Sequence, residues 1–224
     1  MNLLAIETAT ETVSVALAIN GEVIERYEHA PRRHAELLLP WVESVLAEAG
    51  IGFSALDAIA YSRGPGSFTS LRIGIGVVQG LAWASDRPVI PVSSLAATAQ
   101  SVVSEGVSSA LVALDARMNE VFTCMFEANS NGIMVPVEME RVCAPAEVSV
   151  PEGADTYGVG IGFERYTELK VLAGSLKGVL AERWPKASCV LQLAKEWLTT
   201  HEALPAEMAQ PVYLRDNVAK KSQS

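Results

Sequence analysis

Two hairpins with the same order of features lie about half a chain apart in this sequence of 224 residues. In each, an apolar strand ends in an acidic residue, a short polar turn follows, and a second apolar strand returns. The strands are Leu3–Glu7 and Thr12–Ile19 in the first hairpin, and Ala110–Asp115 and Glu120–Phe126 in the second. This repetition predicts two copies of one βββαβα unit. A chance likeness of two short hairpins is the alternative.

The segments around the hairpins fit such an α/β unit. A third strand, in EVIERYEHA, follows Asn20-Gly21, a strong two-residue turn. Helical spacing of apolar residues and short β-branched runs then predict the remaining elements. These are helix 35–49, strand 55–62, helix 68–84, a strand and turn in 87–95, and helix 94–104. The second half is less regular. We expect an N-terminal domain at 1–103 and a smaller C-terminal domain at 104–224, with the flexible basic tail Lys220–Ser224.

Composition excludes several function classes. The formal net charge of −9 disfavours a broad nucleic-acid surface of the chain's own. Cys124, Cys143 and Cys189 form no CxxC pair, which favours a reducing compartment over a disulfide framework. The N-terminus has no basic leader, and the most apolar run, Ile73–Ala84, is too short for a bilayer. We therefore expect a cytoplasmic protein without a membrane partner.

The acids at the strand ends are candidate site residues. A carboxylate at the end of such a strand can face a cleft between two domains, where the turn N–H groups can hold phosphate. Glu7, Thr8 and Asp115 are therefore weak candidates for a nucleotide cleft. In the alternative, Glu7 and Thr8 only satisfy the donors of their own turn.

The segment GPGSFT precedes the second helix and has two interpretations. Gly64, Gly66 and Ser67 could form an anion-binding turn at a helix N-terminus. Alternatively, the glycines and proline force the turn, and Ser67 or Thr69 caps the helix. Because no lysine follows, the segment is not a P-loop, and capping is favoured for the loop taken alone.

The first two predicted helices carry more apolar surface than one small domain needs. The second helix has two apolar sides, and its two interior glycines, one turn apart, would admit another backbone. A partner surface and burial between core layers are both consistent with this pattern. The candidate partner residues are Leu38, Trp41, Val45, Leu71, Ile75, Gly76, Val78, Gly80 and Leu81.

Other motifs are weak. His29 and His34 lie five apart across Pro31, which is the wrong spacing for two ligands on one helical face, so we predict no metal site. The run GVGIG (158–162) reads as a strand end without a following helix, a poor dinucleotide signal. Since no Ser/His/Asp set stands out either, no catalytic residue is predicted.

Several stretches occur in an order that resembles a known family from Leu3 to about Arg215. They are LLAIETATETVSVAL, RRHAELLLP, GPGSFTSLRIGIGVVQGLA, LDARMNEVF and PVYLR. Together they resemble the TsaB (YeaZ) family of bacterial tRNA threonylcarbamoyladenosine biosynthesis proteins. Glu7 and Ser70 depart from the aspartate and glycine usual in that family. TsaD-like enzymes bind metal with histidines on the first helix, whereas His34 stands alone here.

The resemblance implies a fold of two actin/Hsp70/sugar-kinase-like (RNase H-like) subdomains, with mixed sheets flanked by helices and a degenerate second copy. It implies a non-catalytic scaffolding subunit that pairs with TsaD, the transferase that forms threonylcarbamoyladenosine beside the tRNA anticodon. A TsaE-like ATPase would join, the chain alone would form a homodimer, and tRNA would be reached only through the complex. We expect no cofactor, except for a nucleotide in the complex.

Two rival functions remain open. One is an enzyme, a glycoprotease-like peptidase or an actin-superfamily kinase that uses Glu7 and Asp115 in the cleft. The other is a direct tRNA-binding module that uses Arg215, Lys220 and Lys221 near Tyr213.

Overall fold

The computed structural model describes residues 1–151 and 155–215. Its first sheet has the strand order β3-β2-β1-β4-β5. The first three strands are antiparallel, whereas β4 and β5 run parallel to β1. The strands are β1 (Leu3–Glu7), β2 (Thr12–Ile19), β3 (Glu22–His29), β4 (Ala58–Gly64) and β5 (Val89–Ser93).

The second sheet repeats this topology with shorter strands. Its order is β8-β7-β6-β10-β11, again with three antiparallel strands followed by two parallel ones, and β9 pairs with β7. The strands are β6 (Ser109–Arg117), β7 (Glu120–Ala128), β8 (Met134–Pro136), β9 (Arg141–Cys143), β10 (Tyr157–Val159) and β11 (Gly178–Leu180). The duplicated α/β unit, predicted from the hairpins, and the degenerate second copy, expected from the less regular second half and from the resemblance, are confirmed.

Six helices complete the described fold. They are α1 (His34–Glu48), α2 (Phe68–Ser85), α3 (Ser94–Gln100), α4 (Gly162–Arg165), α5 (Thr167–Leu172) and α6 (Ala187–Trp197). The predicted bounds of α1 and α2 are confirmed within one residue. The prediction of a helix to residue 104 was too long, because α3 ends at Gln100 and a separate 3-10 turn follows. Strand β4 begins later than predicted because Phe53–Ala55 form a 3-10 turn.

The helices form two layers. Helices α1 and α2 pack together on one face of the first sheet and enclose its apolar core. Helices α3 and α6 lie between the sheets, so that α3 contacts β6, β7 and β8 while α6 contacts β1 and β2. Each half therefore buries its last helix against the other half, and one continuous core joins them.

The chain beyond α6 returns to the first half as a C-terminal strap, residues 204–215. Leu204 and Val89 exchange two backbone hydrogen bonds, and the Val212 N–H donates to the Arg63 carbonyl at 2.7 Å. The Gln79 side chain on α2 donates to the strap carbonyl of Ala209 at 2.8 Å. The division at 103/104 stays a prediction, since α6 and the strap pack on the first half.

No helix among residues 1–151 and 155–215 is long and apolar enough to cross a membrane. The predicted tail Lys220–Ser224 lies outside the described residues.

Candidate functional site

A cleft of about 950 Å³ lies between the two hairpin turns. The first half contributes the β1–β2 turn at Ala9–Glu11 and the loop at Pro65–Ser67 that leads into α2. The second half contributes the β6–β7 turn at Asp115–Met118 and Arg165 of α4, while strap residues 212–215 line the mouth. Its volume is in the range of small-molecule sites. The duplicated topology thus places two equivalent turns face to face, as expected from the sequence.

Glu7, the acid of the first hairpin, does not face this cleft. Its side chain is fully buried, and Oε1 accepts a hydrogen bond from the Ala9 N–H at 2.6 Å. Oε2 has no hydrogen-bond partner among the described residues. Burial raises the pKa of Glu7 from its ordinary 4.5 to about 7, against smaller lowering effects of Ser62 and the Ala9 amide. The prediction of a cleft-facing carboxylate at this position was wrong.

Thr8 is also enclosed, so it does not line the cleft. Only 2% of its surface is exposed, and it packs directly on α2. A Cβ atom on Gly74 would lie 2.1 Å from the Thr8 hydroxyl oxygen, so only glycine permits this contact. The prediction that Thr8 lines the cleft was wrong, and the sequence pattern did not distinguish Gly74 from the other helix glycines.

Asp115, the acid of the second hairpin, does line the cleft, in a network of hydrogen bonds and ion pairs. Oδ1 accepts hydrogen bonds from the Arg117 N–H at 2.8 Å and the Tyr166 hydroxyl at 2.7 Å, and Oδ2 pairs with Arg165 and Arg117. Partial burial alone would raise its pKa, but the bonds from Tyr166, the Arg117 amide and Arg165 lower it. The carboxylate is therefore ionised and already engaged.

Glu11 extends this network across the cleft. One carboxylate oxygen lies 2.8 Å from the Arg117 guanidinium, and the other lies 3.0 Å from that of Arg165. Because Glu11 belongs to the first half and both arginines to the second, these pairs join the two turns. Sequence reasoning missed all three residues.

The loop before α2 rests on the β1–β2 turn. The Ser67 N–H donates to the Ala9 carbonyl at 2.7 Å, and a Cβ on Gly66 would lie 2.2 Å from that oxygen. Ser67 is the N-cap residue, but its side chain makes no capping bond and accepts one from the Ser70 hydroxyl instead. The proposed side-chain cap was therefore wrong. The glycine serves close approach, and at Gly64 a positive φ of 99° favours glycine as well.

The His34 side chain faces the β1–β2 turn. Its side chain is buried, and Nε2 lies 2.9 Å from the Thr10 carbonyl. Burial lowers its pKa. Within residues 1–151 and 155–215, no group of three or more His, Cys, Asp and Glu could hold a metal ion.

The GVGIG run packs against the second sheet. A helix does follow it, contrary to the sequence reading, but α4 has only four residues. A Cβ on Gly160 or Gly162 would lie within 2.8 Å of the Ala113 carbonyl oxygen. These glycines therefore bring the β10–α4 turn close to β6 and place Arg165 over Asp115.

Most of the predicted partner residues point inward. Five of them are buried in the core of the first half and do not form its outer surface, which corrects their assignment: Leu38, Val45, Leu71, Ile75 and Val78. Trp41 and Leu81 are half-buried against the same core. The two apolar sides of α2 thus face the first sheet and α1, so the extra apolar surface is largely internal.

The remaining two, Gly76 and Gly80, lie on the outer stripe of α2, which we define as Phe68, Arg72, Gly76, Gly80 and Trp83. Both glycines are exposed, and a Cβ on either would meet no atom within 4 Å. Trp83, which sequence reasoning missed, is 84% exposed. The helical spacing from Gly76 and Gly80 could have indicated it.

Comparisons with known proteins agree with this architecture. The family model of TsaD, tRNA N6-adenosine threonylcarbamoyltransferase, matches residues 22–223. The chain is 38% identical to the tRNA threonylcarbamoyladenosine biosynthesis protein TsaB of Escherichia coli K12, over 99% of this chain and 97% of that protein. It is 36% identical to TsaB of Haemophilus influenzae Rd, over 99% and 96%. The structure of YeaZ from Pseudomonas aeruginosa superposes with a TM-score of 0.90 at 44% identity, covering 95% of this chain and 99% of that one.

The two mixed sheets of one topology, with the cleft between their hairpin turns, and the match to the TsaD family model define a duplicated α/β protein of the TsaD-related class. Within that class, the chain belongs to the TsaB family, because the two TsaB relatives align with it over almost its whole length.

Proposed function

We propose that this chain is a non-catalytic subunit needed to form threonylcarbamoyladenosine at position 37 of tRNAs that read codons starting with A. The observation that carries the proposal is the end-to-end similarity to proteins named for threonylcarbamoyladenosine biosynthesis. The chain pairs with a TsaD-like catalytic subunit, a TsaE-like ATPase joins, and alone it forms a homodimer. It binds no cofactor of its own, and any nucleotide would bind only in the complex.

The state of the two acids supports a scaffolding role. Glu7 is sealed from the cleft, and Asp115 is held by Arg117, Arg165 and Tyr166. A kinase or peptidase that used this pair would need both carboxylates at the substrate. The enzyme alternative therefore has less support than the scaffold.

The C-terminal part of the outer stripe of α2, formed by Gly76, Gly80 and Trp83, is the proposed pairing surface. Glycine in a helix interior costs about 1 kcal/mol relative to alanine. Inside the fold nothing crowds Gly76 or Gly80, so packing within the chain does not explain them. A partner helix approaching closely would require them, and the exposed Trp83 indole is the type of side chain that anchors protein interfaces.

The pairing surface is tested by Gly80→Leu. Because the Cβ position is open, the folded chain accommodates the side chain, and the change from glycine favours the helix. We expect the variant to lose co-purification with the TsaD-like subunit and to run as a monomer in size-exclusion chromatography. Gly174→Leu is the matched control, since Gly174 is also exposed with an open Cβ position but lies in the second half. Co-purification of Gly80→Leu with the TsaD-like subunit at wild-type yield would contradict the proposed pairing surface.

The function itself is tested by depletion in cells. Mass spectrometry of tRNA nucleosides should show loss of threonylcarbamoyladenosine, and the wild-type chain should restore it. An unchanged level of the nucleoside after depletion would contradict the proposed function.

A further inference from the structure

Positive charge gathers at the cleft of an otherwise acidic protein. The lining includes four arginines and two carboxylates, whereas the whole chain carries −9. Arg117 and Arg165 are engaged by Glu11 and Asp115, and Arg215 pairs with Glu120. Exposed Arg32, at the edge of the same cleft, makes no ion pair among the described residues. The mouth therefore presents positive charge, from Arg32, that no acidic side chain among the described residues neutralises.

An aromatic platform stands at the same mouth. The Arg72 guanidinium carbon lies 3.7 Å from the ring centroid of Phe68, and the Phe68 and Tyr213 rings are 5.4 Å apart. The Arg72 Nε–H donates to the Tyr213 hydroxyl at 3.1 Å. Both rings are 41% exposed, and Arg72 is exposed without an ion pair among the residues described. The hydrogen bond and the stacking hold the two rings and the Arg72 guanidinium in place at the surface.

We propose that this mouth, made of Arg32, Phe68, Arg72 and Tyr213, binds single-stranded RNA directly. Unpaired bases stack on aromatic rings and on guanidinium planes, while arginines hold the phosphates. The inference rests on the proposed function and specifies its RNA contact as unpaired loop nucleotides of the tRNA. It departs from the expectation that the chain reaches tRNA only through its partner.

The location fits a shared substrate. Arg72 and Phe68 lie about one and two turns before Gly76 on the outer stripe, so the platform adjoins the proposed pairing surface. RNA bound there would lie beside the catalytic subunit rather than on a remote face. The acidic remainder of the chain would repel RNA elsewhere and confine the contact to the mouth.

The first test is the double variant Arg32→Glu/Arg72→Glu, purified with the TsaD-like subunit. Binding of an unmodified tRNA transcript is measured by fluorescence anisotropy at several salt concentrations. We expect affinity to fall at least about tenfold, and the slope of log K against log salt to decrease by about 1 to 2, as for one or two lost phosphate contacts. Lys177→Glu/Arg183→Glu is the control with the same charge change, at two positions that do not line the cleft, and its affinity should stay within about twofold of wild type.

Two further variants test whether the aromatic cluster stacks RNA bases or only holds the C-terminal strap on α2. Phe68→Leu keeps an apolar side chain but removes the ring, and should weaken tRNA binding by about tenfold. Tyr213→Phe keeps the ring but removes the hydroxyl that Arg72 contacts, and should weaken tRNA binding less than Phe68→Leu does. If Tyr213→Phe were the damaging change and Phe68→Leu were not, the cluster would only fasten the strap and the proposal would be wrong.

The remaining outcomes are decisive as well. Wild-type tRNA affinity of the double glutamate variant would overturn the RNA contact. Loss of co-purification with the TsaD-like subunit would overturn it too, because the mouth would then be a protein interface. If depletion removes the modified nucleoside and the double variant restores it with normal tRNA affinity, the RNA contact fails while the proposed function stands.

Discussion

The two halves of this chain share one strand order but place their equivalent acids in opposite environments. Glu7 ends β1 inside the protein, where burial raises its pKa to about 7. Asp115 lies near the end of the equivalent strand β6 at the cleft, where hydrogen bonds from Tyr166, the Arg117 amide and Arg165 lower its pKa despite partial burial. The shared topology places the two acids at equivalent positions in the fold, but the neighbouring side chains decide whether each acid is charged.

The helices of the two halves differ in the same way. Helix α2 has 18 residues and presents an outer stripe, whereas the second half has α4 and α5, with four and six residues, between its parallel strands. The second half supplies Arg117 and Arg165 of the cleft. The first half supplies the long helix, on which Gly76, Gly80 and Trp83 are exposed.

The largest expected effect is on the core of the first half, and two adjacent leucines of α1 show it. Leu38 is fully buried, whereas Leu39 is 46% exposed. Leu38→Ala should lower the free energy of unfolding by about 2–5 kcal/mol, because it removes buried methyl groups and leaves a cavity. Leu39→Ala should change it by less than about 0.5 kcal/mol. Urea denaturation measures both. Equal losses would mean that α1 does not face the first sheet as described.

The next effect is a dependence of stability on pH that comes from Glu7. Since its pKa in the folded protein is raised, its contribution is fully present below pH 4.5 and is lost as the pH rises through about 7. The shift corresponds to about 3 kcal/mol between these limits. Glu7→Gln keeps an acceptor for the Ala9 N–H without ionising. Its stability relative to wild type should therefore increase by about that amount from pH 4.5 to pH 8 in urea denaturation.

Asp115→Asn is the control for this comparison, since its sign is opposite. With a lowered folded pKa, Asp115 stabilises the fold at pH values above 3.8, and this contribution is lost as the pH falls through the lowered value. Asp115→Asn should therefore be less stable than wild type at neutral pH, with a difference that shrinks in acid. A parallel pH response of the two variants would contradict the assigned environments.

Local sequence rules predicted what depends on neighbours in the chain. Apolar spacing located α1 and α2, and the repeated hairpins gave the duplicated sheet topology. The same rules could not show that the first helices turn most of their apolar residues inward, because that depends on the sheet beneath them. Val78 and Gly80 belong to the same helix, yet one is buried and the other exposed.

The candidate site was less predictable because its contacts span the chain. Glu11 meets Arg117 and Arg165, which lie 106 and 154 positions away, and no local pattern marks such a pair. Gly74 is needed because of Thr8, a residue from a different element. The acids were found from their place after a strand, but the enclosure of Glu7 follows only from tertiary packing.

The smallest expected effect concerns the ion pairs that join the halves through Glu11. Its side chain is 29% exposed and that of Arg117 is 67% exposed, so solvent screens much of the attraction. Glu11→Gln should lower the free energy of unfolding by about 0.5–1 kcal/mol at low salt, with most of the difference lost in 1 M sodium chloride. Glu105→Gln is the control, because its pair with Arg183 lies away from the cleft. If only Glu11→Gln also increases the hydrogen exchange of the β6–β7 turn, the pairs hold the two hairpins together. Equal exchange in both variants would show that the shared core of α3 and α6 holds the halves together without them.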